Sequence, residues 1–119
     1  MRVNLNIIRS ILIQVADCES PYGINSKDLK FEGASNTLIG FHVRLLIDES
    51  MLKGYDACTK VEPYNYVALQ LTLPGSNLLS KIENDTVWDK VRAVVLKGAS
   101  VTSIAALEGI ATKVINSFS

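Results

Sequence analysis

Apolar residues recur along this chain with two periods, one near 3.6 and one of 2, and the switches between them mark out its elements. Ile7, Ile8, Ile11, Leu12, Val15 and Ala16 share one helical face between Asn4 and about Asp17. Asn4 or Asn6 can cap the start of that helix, and Arg9 and Gln14 face out. Glu19 to Gly23 reads as a turn, because Pro21 fixes one dihedral and Gly23 permits a positive one. Ile24 to Glu32 admits two readings. Ser26 with Lys27, Asp28 and Leu29 can open a short helix, whereas Leu29 and Phe31 against Lys30 and Glu32 alternate like an edge strand ending at Gly33. The strand is the preferred reading.

The central stretch, Asn36 to Gly75, organises the rest. Leu38, Phe41, Leu45 and Ile39, Val43, Leu46 repeat at three- and four-residue spacing, so a helix with a wide buried stripe is expected, capped by Ser35 or Asn36 and closed by Asp48-Glu49-Ser50. Met51 and Leu52 return to the core. Lys53 to Asp56 and Tyr66 to Leu71 then form a two-stranded ribbon around a wing, Ala57 to Asn65. Thr72 can cap a following helix whose first turn holds Pro74, with Leu78, Leu79 and Ile82 buried. Thr86 with Asp89 resembles a capping box for a helix faced by Val87, Val91, Val94 and Val95 and stopped by Gly98. Ser100 or Thr102 caps a last helix carrying Ile104, Leu107, Ile110 or Ala111, Val114 and Ile115, ending near Phe118. The expected fold is therefore α+β and mostly helical. It is a winged helix-turn-helix body, about 1–83, with a two- to three-stranded wing sheet and a C-terminal helical pair, about 84–119, in one compact domain.

Three stretches carry a family resemblance: Phe41 to Ile47, then Leu-Thr-Leu-Pro-Gly through Leu78-Leu79 to Ile82, and Asn84 to Lys90. Together they resemble a family of small phage- and prophage-encoded bacterial proteins known only as a domain of unknown function. Its pattern runs tyrosine-histidine-leucine, a two-leucine helix, leucine-threonine-x-x-glycine and an aspartate-x-x-tryptophan close. More distantly, the helix and the Leu-Thr-x-x-Gly step look like MarR- and ArsR-type repressors, in which the first is the recognition helix and the second opens the helix after the wing. The chain departs from the pattern with Phe41 for tyrosine and with Glu49-Ser50-Met51 where alanine-glycine-leucine is usual. The resemblance implies a winged-helix fold and a phage context, with no mechanism attached.

Composition narrows the chemistry. Lysine plus arginine equals aspartate plus glutamate, 12 each in 119 residues, so no global field draws the chain to nucleic acid or to an anionic membrane. Cys18 and Cys58 are far apart and without partner cysteines, which implies neither a disulfide framework nor a metal site. Ile7 to Ala16 is interrupted by Arg9 and Gln14 and reads as neither a signal peptide nor a span, so a cytoplasmic protein is expected. His42, the one histidine, reads as a satisfied structural imidazole. Asp48 and Glu49 diverge as adjacent helical residues and cannot flank one reacting bond. With no phosphate loop, triad or cofactor signature, an enzyme is the least supported class.

Two readings remain in front of it. The first is a DNA-binding regulator in which Asn36, Thr37, Gly40 and Arg44 face the major groove and Lys53 and Lys60 approach phosphates, while Leu38, Phe41 and Leu45 are buried. The second is a protein-interaction module on the same scaffold. Arg44, Lys53, Lys60, Lys27 and Lys30 gathered on one face favour DNA; the same cations scattered among acids favour a protein partner. A homodimer through Trp88, Val91 and Val95 accompanies the first reading.

Overall fold

The structure, a computed structural model, describes residues 2–96 and 103–118. Asn4 opens the first helix, α1 (Leu5–Asp17), by accepting the backbone N–H groups of Asn6 and Ile7 on its side-chain oxygen. Ile7, Ile8, Ile11, Leu12 and Val15 are buried along it. Ala16 is not part of that stripe, because the last turn emerges beside an open hollow lined by Cys18, Gly23, Leu71 and Ser76. Arg9 and Gln14 also depart from expectation. Rather than facing out unbound, Arg9 sends Nε to the carbonyl of Ile82 at 2.9 Å and a terminal nitrogen to Glu83 O and to Asp85. Its guanidinium also lies 5.5 Å from the Trp88 ring centroid.

Gln14 explains why Leu29 to Glu32 does not form the expected strand. Its amide nitrogen donates to Lys30 O at 2.7 Å and its oxygen accepts from Lys30 N at 2.9 Å, so both backbone groups that a ladder would use are already paired. What forms instead is a single antiparallel bridge, Ile24 to Leu69, and one 3₁₀ turn, Ser26–Asp28. Ser26 is buried, and its hydroxyl accepts the N–H of Tyr66.

Ser35 caps α2 (Asn36–Asp48), which buries Ile39, Gly40, His42, Val43 and Leu46. Its end is a Schellman turn: Met51 N donates to Leu46 O, Ser50 N to Ile47 O, and Ser50 holds φ +62°, the left-handed position usually given to glycine. Strand β1 (Leu52–Asp56) pairs antiparallel with β2 (Tyr66–Leu71). Among the described residues the sheet has these two strands, with Ile24 touching the outer edge of β2. The register slips between Lys53 and Tyr55, so that Ala68 and Leu69 together oppose Gly54, and Ala68 takes φ +56° in this bulge.

Thr72 then does three things. Its N–H donates to Met51 O, its hydroxyl donates to Ser50 O, and the same oxygen accepts the N–H of Gly75 as the cap of α3 (Leu73–Ile82). Gly75 must be glycine, since a Cβ there would stand 1.9 Å from Met51 O.

The next helix, α4 (Asp85–Leu96), is capped by Asn84, whose side-chain oxygen accepts Val87 N; Thr86 lies exposed inside the first turn and is not the cap. Ser103 caps α5 (Ile104–Asn116) through Ala106 N, while Gly98, Ser100 and Thr102, the expected stop and caps, fall outside the described residues. Helix α5 packs on α3 and α4, with Lys81 and Glu108 3.1 Å apart. Trp88 of α4 donates its indole N–H to Asn6 at the head of α1. The fold is α+β and mostly helical, five α-helices and a two-stranded ribbon among the described residues.

Two substitutions test the junction between α2 and α3. Ser50→Gly removes a left-handed strain and is expected to raise the unfolding free energy by about 0.5–1 kcal/mol. Gly75→Ala overpacks a backbone contact and is expected to lower it by about 1–3 kcal/mol. Urea unfolding with unchanged slopes measures both, and a destabilised Ser50→Gly contradicts the turn described.

Candidate recognition surfaces

Helix α2 presents fewer free groups than its sequence suggested. Asn36 and Thr37 are exposed in its first turn, as is Arg44 further along. Gly40 is buried, however, because the loop between the strands folds back over the helix: a Cβ on Gly40 would stand 2.3 Å from Tyr64 O. Leu38, Phe41 and Leu45 are only half-buried, since the fully covered stripe lies one residue round, on Ile39, His42, Val43 and Leu46. Phe41 instead meets Tyr64 edge to face, with ring centroids 6.0 Å apart.

That loop is ordered by its own polar groups. Asp56 accepts Cys58 N at 2.7 Å, Thr59 and Glu62 exchange two hydrogen bonds, and Cys58 Sγ lies 3.4 Å from both N and O of Asn65. Hydrogen bonds from Cys58 hold the Asp56 carboxyl below its usual range, while burial raises the phenol of Tyr66. Asp56 thus stays ionised and Tyr66 protonated around neutrality, and neither is poised for proton transfer there.

The cations are scattered among acids. Arg44 faces Asp48 one turn on at 3.7 Å, and both share a hollow with Asp56. Lys27 pairs with Glu62 at 2.6 Å. Lys60 is exposed on the loop, but Lys53 points to the outer face of the ribbon, a hollow that Arg44 does not line. Of the residues expected at a dimer interface, Trp88 and Val91 are buried within the chain and only Val95 remains half-exposed. The first part of the α4 stripe, Val87, Trp88 and Val91, lies in the protein's own core, whereas Val94 is exposed.

His42 is fully enclosed. Its Nε2 accepts the N–H of Asn4 at 2.8 Å, and its Nδ1 lies 2.8 Å from Leu38 O. Those partners select the neutral tautomer with hydrogen on Nδ1, which ties the head of α1 to α2. Cys18 and Cys58 are free thiols.

Sequence reasoning passed over the most open aromatic feature. Tyr22, 82% exposed, and Tyr55, 72% exposed, stand at a hollow of about 450 Å³ on the outer face of the ribbon, lined also by Lys53, Gly54, Ala68 and Gln70. The available signal was Tyr55 alternating with inward Gly54, and a tyrosine between proline and glycine with no core position to fill.

Fold and surfaces define a small, mostly helical α+β domain with a two-stranded ribbon, within which no described helix is long and apolar enough to cross a membrane. The chain belongs to the family described as hypothetical protein (DUF2513), whose pattern matches residues 2–102. It is similar to an uncharacterised protein of Haemophilus influenzae (strain ATCC 51907 / DSM 11121 / KW20 / Rd), 28% identical over 116 residues that cover 98% of this chain and 97% of the relative. No solved structure matches it.

The histidine gives a pH test. Burial lowers the His42 pKa below its ordinary 6.5, against a smaller opposing effect of the Leu38 hydrogen bond. Between the lowered folded value and 6.5 the unfolded chain binds the extra proton, so stability rises with pH through that window. It is fully present above about 6.5 and is lost as pH falls toward the folded value, at no more than about 1.4 kcal/mol per pH unit. Because the chain has one histidine, unfolding free energies of wild type and His42→Gln compared from pH 7.5 to 5.5 isolate the effect. Parallel pH curves would contradict the enclosed neutral imidazole.

Proposed function

We propose that this chain is a non-catalytic protein-recognition module on a winged-helix-like scaffold. The order of α1, the Ile24 bridge, a short 3₁₀ turn, α2 and a ribbon with a loop between its strands supports that relationship. In such a scaffold α2 is the element that enters a DNA groove. The observation that carries the protein reading is the state of that helix: Gly40 lies under the Tyr64 loop, and Arg44 and Lys27 each face a carboxylate. Phosphate binding gains its free energy when protein cations displace the counterions condensed on DNA, and here Arg44 and Lys27 already face carboxylates in a chain of zero net charge.

DNA binding is the second reading, favoured by exposed Asn36 and Thr37 and by Lys60 on the loop. A transcriptional role in a phage or prophage setting goes with it, as does the cytoplasm as the place of action.

Parallel selections from a random duplex-DNA pool and a displayed peptide library, both near physiological salt, separate the two. The module reading expects enriched peptides and no enriched duplex at micromolar protein. An enriched duplex whose affinity falls by about 1–3 kcal/mol in Arg44→Ala would establish the DNA reading instead.

A further inference from the structure

The hollow on the outer face of the ribbon is built rather than incidental. Gly23, at φ +79°, brings the turn carrying Tyr22 against β2 so closely that a Cβ would stand 2.5 Å from Leu69 O. Gln70 clamps the same turn by donating its side-chain amide to Pro21 O at 3.0 Å, and Ser20 accepts the N–H groups of both Tyr22 and Gly23. Below, Asn25 accepts Ala68 N and holds that residue in its left-handed conformation. A non-glycine residue kept at positive φ by its surroundings is a feature that concentrates at functional sites. The result is a pre-positioned exposed tyrosine, Tyr22, that lines one hollow with Tyr55, Lys53, Gly54, Ala68 and Gln70.

Charge narrows what this hollow takes. Lys53 lines it with no carboxylate within 4 Å among the described residues, a condition it shares with other exposed cations such as Lys60, and no carboxylate is among the residues that line the hollow. One ammonium lining the same hollow as two exposed tyrosines suits a carboxylate next to a flat apolar group. The lining supplies one ammonium and no guanidinium fork, which matches a singly charged carboxylate better than a doubly charged phosphate.

We infer that the Tyr22–Tyr55 hollow takes an extended peptide segment of a partner protein, an aromatic side chain lying between the tyrosines and an adjacent acidic side chain pairing with Lys53. This rests on the protein-recognition reading and names its ligand. Three labelled decapeptides, carrying a central Phe flanked by Glu, by Gln or by Lys, and a labelled decathymidylate are titrated by fluorescence anisotropy. The Glu peptide is expected to bind at least about tenfold more tightly than the Lys peptide, an effect of roughly one charge-assisted contact. Tyr22→Ala and Tyr55→Ala should each weaken it about fivefold or more, in the range of an exposed anchor residue. Lys53→Gln should erase the preference for the Glu peptide while leaving the urea midpoint unchanged, and Lys53→Glu, which reverses the charge, should turn it toward the Lys peptide. Equal binding of the three peptides, or indifference to Lys53 and both tyrosines, overturns the inference. So does tighter binding of decathymidylate. If displayed peptides are enriched but bind independently of these residues, the hollow is wrong and the module reading stands; if none is enriched, both fall.

Discussion

The α-carbon of Gly75 lies against the carbonyl of Met51 at a separation no side chain would allow, and Thr72 fastens the two segments with two hydrogen bonds while capping α3 with a third. This contact joins the end of α2 to the start of α3 and closes the base of the ribbon between them. Because Met51 and Leu52 are buried at that base, the period of two along β1 is fixed in phase. Leu52 points in, Lys53 and Tyr55 point out, and Leu71 opposite Leu52 sets the same phase on β2. A one-residue slip would carry Lys53 into the core and remove the aromatic face. The Leu-Thr-x-x-Gly step is thus a structural clasp whose consequence is a surface.

A second layer of organisation uses side chains to satisfy backbone groups that regular structure leaves over. His42 takes the N–H of Asn4, Gln14 takes both groups of Lys30, and Arg9 takes the last carbonyls of α3. All three link α1, or the residue that caps it, to segments distant in sequence. An unpaired buried donor or acceptor costs about 1–3 kcal/mol, so each link stabilises the packing as much through the penalty it avoids as through the bond it makes. The cationic Arg9 also suits the negative end of α3. With these links in place, α1 serves as the post against which α2, β2 and α3 pack, and α3 in turn carries α4 and α5.

Much of this was legible in the residues, and the failures share a cause. Capping at Asn4 or Ser35, the Pro74 helix start and the ribbon strands follow from local chemistry, and local chemistry decided them. The alternation of Leu29 and Phe31 was real, since Leu29 is buried and Phe31 half-buried, but it said nothing of Gln14 claiming the backbone of Lys30. Gly40 read as an open helix position because the loop that covers it begins seventeen residues later, at Ala57. Trp88 read as surplus apolar surface because its partners, Asn6 and Arg9, lie some eighty residues earlier. The tyrosine hollow escaped notice because it joins a turn and a strand that touch only through tertiary contact. Periodicity shows which side of an element is apolar; it does not show what comes to cover the other side.

Recognition of a protein segment through the outer face of the ribbon, with α2 held as scaffold, is the proposal at stake. It is tested most directly by the backbone-amide chemical-shift map of the isotope-labelled chain with a peptide enriched from a displayed library and, separately, with duplex DNA. Saturable shifts centred on Tyr22, Lys53, Tyr55, Ala68 and Gln70 are expected on peptide addition, with α2 unmoved and with duplex producing no comparable map. Shifts concentrated on Asn36, Thr37 and Arg44 as duplex is added, with the ribbon face silent, would contradict it.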